Sequence, residues 1–249
     1  MTERPLLILG GTAEARELAA VLHGDGIPVI SSLAGRVAEP RMPAGEVRIG
    51  GFGGPDAMAG WLRERGVAAV VDATHAFAER ISASAALACA GAGVPVLRLE
   101  RPAWSERPGD RWVRVDSLEE AAASIAPLGR RVLLALGRQR LQAFAAVADA
   151  WFLIRSVGPP SPPLPPRHEV LLDRGPFTLD GELALIDHHG IDVVVSRDSG
   201  GEMTRAKLDA ARERGLPVIV VRRPPQPDVP TVHTVPEAAG WARAQLRGG

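Results

Sequence analysis

The sequence predicts an α/β protein built from two similar Rossmann-like lobes with mainly parallel sheets and a substrate cleft between them. Three observations carry that expectation. Short apolar runs alternate with helical patterns, the first run ends on paired glycines, and the second half of the chain repeats the order of the first.

The opening stretch, Pro5 to Leu22, sets the pattern. Leu6 to Leu9 has the character of a buried strand, Gly10 and Gly11 break it, and Leu18, Val21 and Leu22 recur at helical spacing. This reads as a strand, a tight turn and a helix. Paired glycines let the backbone take positive φ and let a ligand approach, while Thr12 can cap a helix whose free N–H groups then face an anion. Ile27 to Ser32 reads as a second strand. Where a dinucleotide fold would place an acid against the adenosine ribose, the chain offers Ser31, Ser32 and Arg36, which suit a phosphate ester.

Val47 to Ile49 is a short third strand, followed by the glycine-rich Gly50 to Gly54 and a helix from Pro55 to Arg65. A fourth strand, Val67 to Asp72, sets Asp72, Thr74 and His75 at a carboxyl end, where open α/β sheets hold their ligands. Thr74 either caps the helix that runs on to Ala92 or meets a ligand. His75 is able to carry a proton near neutral pH or to position a group. After a fifth strand, Pro95 to Leu99, comes a polar, proline-containing connection from Glu100 to Trp112. Val113 to Val115 follows, and a capping-box pattern from Ser117 to Glu120 opens the next helix.

The second half answers the first in order. Leu133 to Gly137 matches Leu6 to Gly10, Gly215 to Pro224 matches Gly93 to Pro102, and the helix start at Thr234 matches that at Ser117. The expected domains are 1–127 and 128–249, with the terminal helix free to cross to the other lobe. The copies differ at their turns: Gly137-Arg138-Gln139 replaces Gly10-Gly11-Thr12, so the second copy should bind no dinucleotide. Its distinctive stretch, Val193 to Leu208, places Ser199-Gly200-Gly201 at an expected helix N-terminus carrying Thr204 and Lys207, either a second anion cradle or a capped helix with a solvated lysine. Arginines near strand ends, Arg138, Arg155 and Arg197 among them, suit a polycarboxylate.

Composition narrows the function classes. The 249 residues carry 29 basic and 29 acidic side chains, so no basic field points to nucleic acid or an anionic membrane. No apolar run approaches the ~20 residues of a bilayer span, and the first residues lack a signal-peptide pattern; the expectation is a cytoplasmic protein acting on a small molecule. Cys89 is the only cysteine, and Asp187-His188-His189 has no companion cluster, so no metal is expected. Tyrosine is absent, which excludes a Tyr-x-x-x-Lys proton relay.

Taken together, GGTAEAREL, SSLAGRV, VDATHAFAERIS, LRLERPAW, RGPF and SRDSGG followed by TRAKLDAA resemble the precorrin-6A reductase family of cobalamin biosynthesis across almost the whole chain. Two positions depart from that pattern: Ala76 stands where proline often follows the histidine, and Arg197 stands where lysine is common. The resemblance implies NADPH-dependent reduction of one macrocycle double bond of precorrin-6A, giving precorrin-6B. It implies Gly10, Gly11, Thr12, Glu14 and Ala15 on the pyrophosphate side, and Ser32 and Arg36 at the adenosine phosphate. Asp72, Thr74 and His75 would line the cofactor side of the cleft, and Arg197, Ser199, Gly200, Gly201, Thr204 and Lys207 the substrate side. His75 and Lys207 are the candidate proton donors, and hand-over contacts with neighbouring pathway enzymes are a further expectation. Two other classes stay open from the residues alone: a uroporphyrinogen-synthase-like lyase, which needs no nucleotide, and a non-catalytic NADP-sensing protein.

Overall fold

The computed structural model describes residues 4–35 and 42–247. In chain order the elements are β1 (Leu6–Leu9), α1 (Ala13–Gly24), β2 (Val29–Leu33), β3 (Glu46–Ile49), α2 (Pro55–Glu64), β4 (Ala69–Asp72), α3 (Glu79–Ala92) and β5 (Val96–Leu99). They continue as β6 (Arg111–Val115), α4 (Leu118–Ala123), β7 (Arg131–Ala135), β8 (Trp151–Ser156), β9 (His168–Leu172), α5 (Leu179–His189) and β10 (Val193–Arg197). The last are α6 (Ala206–Glu213), β11 (Pro217–Val221), β12 (Thr231–Val232) and α7 (Val235–Arg247). Among the described residues they form two six-stranded sheets, ordered β12-β5-β4-β1-β2-β3 and β6-β11-β10-β7-β8-β9, with parallel pairings throughout.

Burial on both faces explains the apolar strands. In β1, Leu6 and Ile8 pack with residues of α1 and α7, while Leu7 and Leu9 pack with residues of α2 and α3. All four are essentially inaccessible. On α1, Leu18 and Leu22 are buried as their spacing requires, whereas Val21 reaches solvent. In the second sheet Leu133 and Val194 pack with Ile186 of α5 and Leu208 of α6.

The unit boundary differs from the expected 1–127 and 128–249. One unit comprises Met1–Arg101 and Pro224–Gly249, the other Pro102–Arg223. Each copy of the repeat gives its sixth strand and following helix to the other sheet. β6 pairs with β11, Pro217 opposite Arg111, and β12 pairs with β5, Thr231 opposite Arg98. The two acceptor strands, PVLRL and PVIVV, are alike, so a parallel edge strand meets an equivalent neighbour in either sheet. Sequence repetition therefore locates the copies but not the sheet that each edge strand joins. α7 accordingly covers one face of the first sheet through Val235, Ala238, Ala239 and Ala242.

A second difference lies after β7. Where β1 leads into the 12-residue α1, β7 leads only into a 3-10 turn, Leu141–Phe144. The second copy has no helix N-terminus at that position.

Two outcomes follow from this packing. Residues 102–223 made alone should unfold in one cooperative transition, followed by circular dichroism, whereas residues 1–127 should not, because α7 would leave one face of the first sheet bare. Cys89 lies in the core, and burial first and the Asp72 carboxylate second push its thiol up to about 12. At about pH 8 it should react with an aromatic disulfide only as fast as the chain unfolds.

Candidate functional site

In the first sheet the chain runs outward from β1 through β2 to β3, then returns to lay β4 on the other side of β1. Such a reversal opens a crevice at the carboxyl ends of the two central strands. Gly10 to Thr12 and Ala73 to His75 sit there. The Thr12 hydroxyl accepts from the Ala15 N–H at 3.1 Å and donates to the Ala73 carbonyl at 2.8 Å, so one side chain caps α1 and ties the two strand ends together. Gly11 has φ +114 and nothing within 4 Å of the place a Cβ would take. The backbone angle requires glycine there, and its outer side is open. Gly10 is packed instead, 3.3 Å from the Leu33 side chain, and donates to the Ser32 carbonyl at 3.0 Å. Ala15 is buried, and Glu14 lies 3.5 Å from Arg101.

Asp72 and Thr74 are held internally. One Asp72 oxygen accepts from the Thr74 N–H (3.1 Å) and hydroxyl (2.7 Å); the other accepts from Arg98 at 2.7 Å. Arg98, 1 % exposed, also donates to Ser82 at 3.0 Å and to Glu100 at 2.9 Å. Thr74 caps nothing, since the N-cap of α3 is Ala78, without a side-chain bond. Arg98 and Glu100 were not singled out from the sequence as partners of Asp72. The signal was an arginine inside an apolar parallel strand, which demands a buried acid. His75, half-buried, accepts from the Phe77 N–H on Nδ1 at 3.2 Å, which places the proton of the neutral ring on Nε2.

Arg36 lies outside the described residues. The guanidinium that the structure sets beside Ser32 is Arg48, directly opposite it in the β2–β3 register. Arg48 donates to the Gly50 and Gly51 carbonyls at 2.6 and 2.7 Å, lies 3.5 Å from the Ser32 hydroxyl, and stacks 3.7 Å over the Phe52 ring. Desolvation lowers its pKa. No described residue at the end of β2 is acidic, so hydroxyl and guanidinium fit a phosphate ester there. The glycine-rich turn, the capped helix and this pair together fit an adenine dinucleotide carrying an extra phosphate.

The second unit keeps the topology and changes the chemistry. β10 lies beside β7 on the side away from β8, so the strand order reverses again between β7 and β10. Arg197, at the end of β10, donates to the Leu136 carbonyl at 2.6 Å. Arg155 is buried against Glu182 at 2.6 Å and lies 4.0 Å over the Phe177 ring.

Ser199-Gly200-Gly201 does not open a helix. A 3-10 turn, Glu202–Thr204, intervenes and α6 starts at Ala206. A side chain at Gly200 would strike the Pro102 carbonyl and Arg223. Trp104 donates from Nε1 to the Gly201 carbonyl at 2.8 Å and from its backbone to Asp198 at 3.0 Å, and the Thr204 hydroxyl donates to the Gly200 carbonyl at 3.2 Å. Lys207, 6 % exposed, donates to the Thr204 carbonyl at 2.6 Å with its ammonium 4.8 Å over the Trp104 ring. Trp104 enters the sequence reading only as the last residue of LRLERPAW, with no partner assigned. Its indole binds the turn that the sequence presented as an anion cradle. Among the described residues, no group of three or more His, Cys, Asp or Glu side chains is placed to hold a metal ion.

The family model described as precorrin-6x reductase CbiJ/CobK matches residues 5–243. A precorrin-6A reductase from Rhodococcus erythropolis is 51 % identical over 94 % of each chain. A cobalt-precorrin-6A reductase from Priestia megaterium is 32 % identical over 88 % of this chain and 90 % of the other. A solved CobK precorrin-6A reductase superposes with a TM-score of 0.91, at 41 % identity and 97 % coverage of both chains.

The buried Arg98 network generates a stability prediction. Arg98→Met should leave two carboxylates without their cation and lower the unfolding free energy by about 3–5 kcal/mol in urea titrations, more than a Leu-for-Ile change in the same sheet.

Proposed function

The chain belongs to the precorrin-6x reductase family, and from that premise we propose that it reduces one macrocycle double bond of precorrin-6A, giving precorrin-6B, with NADPH as cofactor. The first unit takes NADPH and the second takes the substrate. The observation that carries this reading is the contrast between the two strand-order reversals. The first has the Gly10-Gly11-Thr12 turn with a full helix behind it; the second has neither.

NADPH supplies the hydride when bound. The chain's own work is to hold and to protonate. Free N–H groups at the start of α1 and the open side of Gly11 suit the pyrophosphate. Ser32 and Arg48 suit the adenosine phosphate, and Arg36 is a further candidate by its place in the sequence. Asp72, locked by Arg98, keeps Thr74 and the following turn in place and so fixes where His75 projects. Reduction of a carbon–carbon double bond also needs a proton. Lys207 gives an N–H to the Thr204 carbonyl and packs on Trp104, so its ammonium serves the fold of the turn; His75, with its ring proton on Nε2, is the better donor.

Family membership removes the lyase that needs no nucleotide. A non-catalytic sensor would bind NADPH without consuming it. Anaerobic loss of NADPH absorbance in the presence of precorrin-6A supports the reductase, while absence of saturable NADPH binding would overturn it. Gly11→Ala should weaken NADPH binding about tenfold or more, because φ +114 strains any side-chain-bearing residue. Arg48→Ala and Arg36→Ala should each weaken NADPH more than NADH in fluorescence titrations; equal losses would put the adenosine phosphate elsewhere.

A further inference from the structure

Resting on that reading and going beyond it, we propose that the turn Gly137-Arg138-Gln139-Arg140, with Arg197, is the carboxylate-gripping site of the second unit. Its ligand class is a polycarboxylate tetrapyrrole.

Position comes first. This turn follows β7 and Arg197 ends β10, so both occupy the crevice where the strand order of the second sheet reverses. The equivalent crevice of the first sheet carries Gly10 to Thr12. Two strands of common descent thus present their ends in the same place with different chemistry.

The means of binding an anion has changed as well. Behind Thr12 stands a helix whose N-terminal N–H groups face the crevice. Behind Arg140 stands only a 3-10 turn without a side-chain cap. Backbone dipoles at that point are too few to hold a phosphate pair, so an anion must be met by side chains. Arginine forks match carboxylates in plane and spacing.

Two of these arginines reach across the strand ends. The Arg197 guanidinium comes back over β7 to the Leu136 carbonyl and lies 3.6 Å from the place a Cβ on Gly137 would take. On the other flank, Arg138 Nη1 lies 3.8 Å from the corresponding place on Gly158, in the loop after β8. Arg155 is a different case, since it is buried on Glu182 and anchors α5.

Arg140 supplies the independent observation. Its φ is 62°, and among the described residues every other positive-φ position is glycine. A left-handed backbone is costly for an arginine and free for glycine, so a side chain kept there has work to do outside the fold.

The test uses the full chain and three titrations: uroporphyrin as an octacarboxylate probe, its octamethyl ester, and NADPH. Wild-type protein should bind uroporphyrin, lose it with rising salt, and ignore the ester. Arg138→Gln, Arg140→Gly and Arg197→Gln should each weaken uroporphyrin about tenfold, the value of one charge-assisted pair, with NADPH binding unchanged. Arg197→Lys should restore part of the loss. Arg140→Gly should in addition raise the melting temperature, because the strain disappears with the side chain; a merely structural arginine would not show both effects. The half-buried Arg197 is read against these turn variants, so a folding defect at one position does not decide the matter. Uroporphyrin binding that is absent from wild type or indifferent to all three arginines would overturn the proposal. So would loss of NADPH binding in the same variants, which would make the turn a cofactor phosphate site. Failure of wild type to consume NADPH with precorrin-6A would overturn the proposed reaction instead, and leaves the uroporphyrin result to stand or fall separately.

Discussion

A parallel strand covered by helices on both faces has a place for a polar side chain only near its ends or against a buried partner such as the one Arg98 finds in Asp72. Leu6 to Leu9 obey that constraint completely, with alternate residues packed into opposite layers, and Val132 to Leu134 are equally inaccessible. Chemistry is thereby pushed to the carboxyl ends, and within them to the crevice where the strand order reverses. Both sheets have that crevice, beside β1 and beside β7. Everything proposed about binding follows from what the chain places in these two openings.

The two openings differ as the proposed division of labour requires. In the first, small residues and a hydroxyl leave the backbone exposed at the turn, with α1 aligned behind it. In the second, the helix is reduced to a single 3-10 turn and arginines stand where the backbone was exposed. Backbone N–H groups suit a tight, conserved phosphate geometry, whereas long guanidinium side chains suit carboxylates spread around a wide ring.

Several charged residues near the two openings also hold the fold, for one shared reason. A buried charge must be matched, and the match ties its side chain to a fixed neighbour. Asp72 is taken by Arg98 and Thr74, Glu182 by Arg155, and Lys207 by a carbonyl and the face of Trp104. Asp72 holds the turn that bears His75, and Lys207 and Trp104 hold the Ser199 to Thr204 turn. Strand exchange adds a constraint of the same kind, because β6 and β12 each complete a sheet begun by the other copy.

The order of strands and helices, the two-copy plan and the glycine turn after β1 were legible in the sequence, because they rest on local periodicity and on φ angles that only glycine adopts cheaply. So was the resemblance to a reductase family, carried by short motifs that need no partner to be recognised. The sequence by itself also fixed the cationic character of the second turn. Only the tertiary structure decided which sheet β6 and β12 join, since equivalent neighbours were on offer in both. It alone paired Ser32 with Arg48, through register, and Asp72 with Arg98, through adjacent strands. It alone showed that Lys207 faces Trp104 across a separation of more than a hundred residues. Partnership between distant side chains depends on how strands align, and no local pattern encodes that alignment.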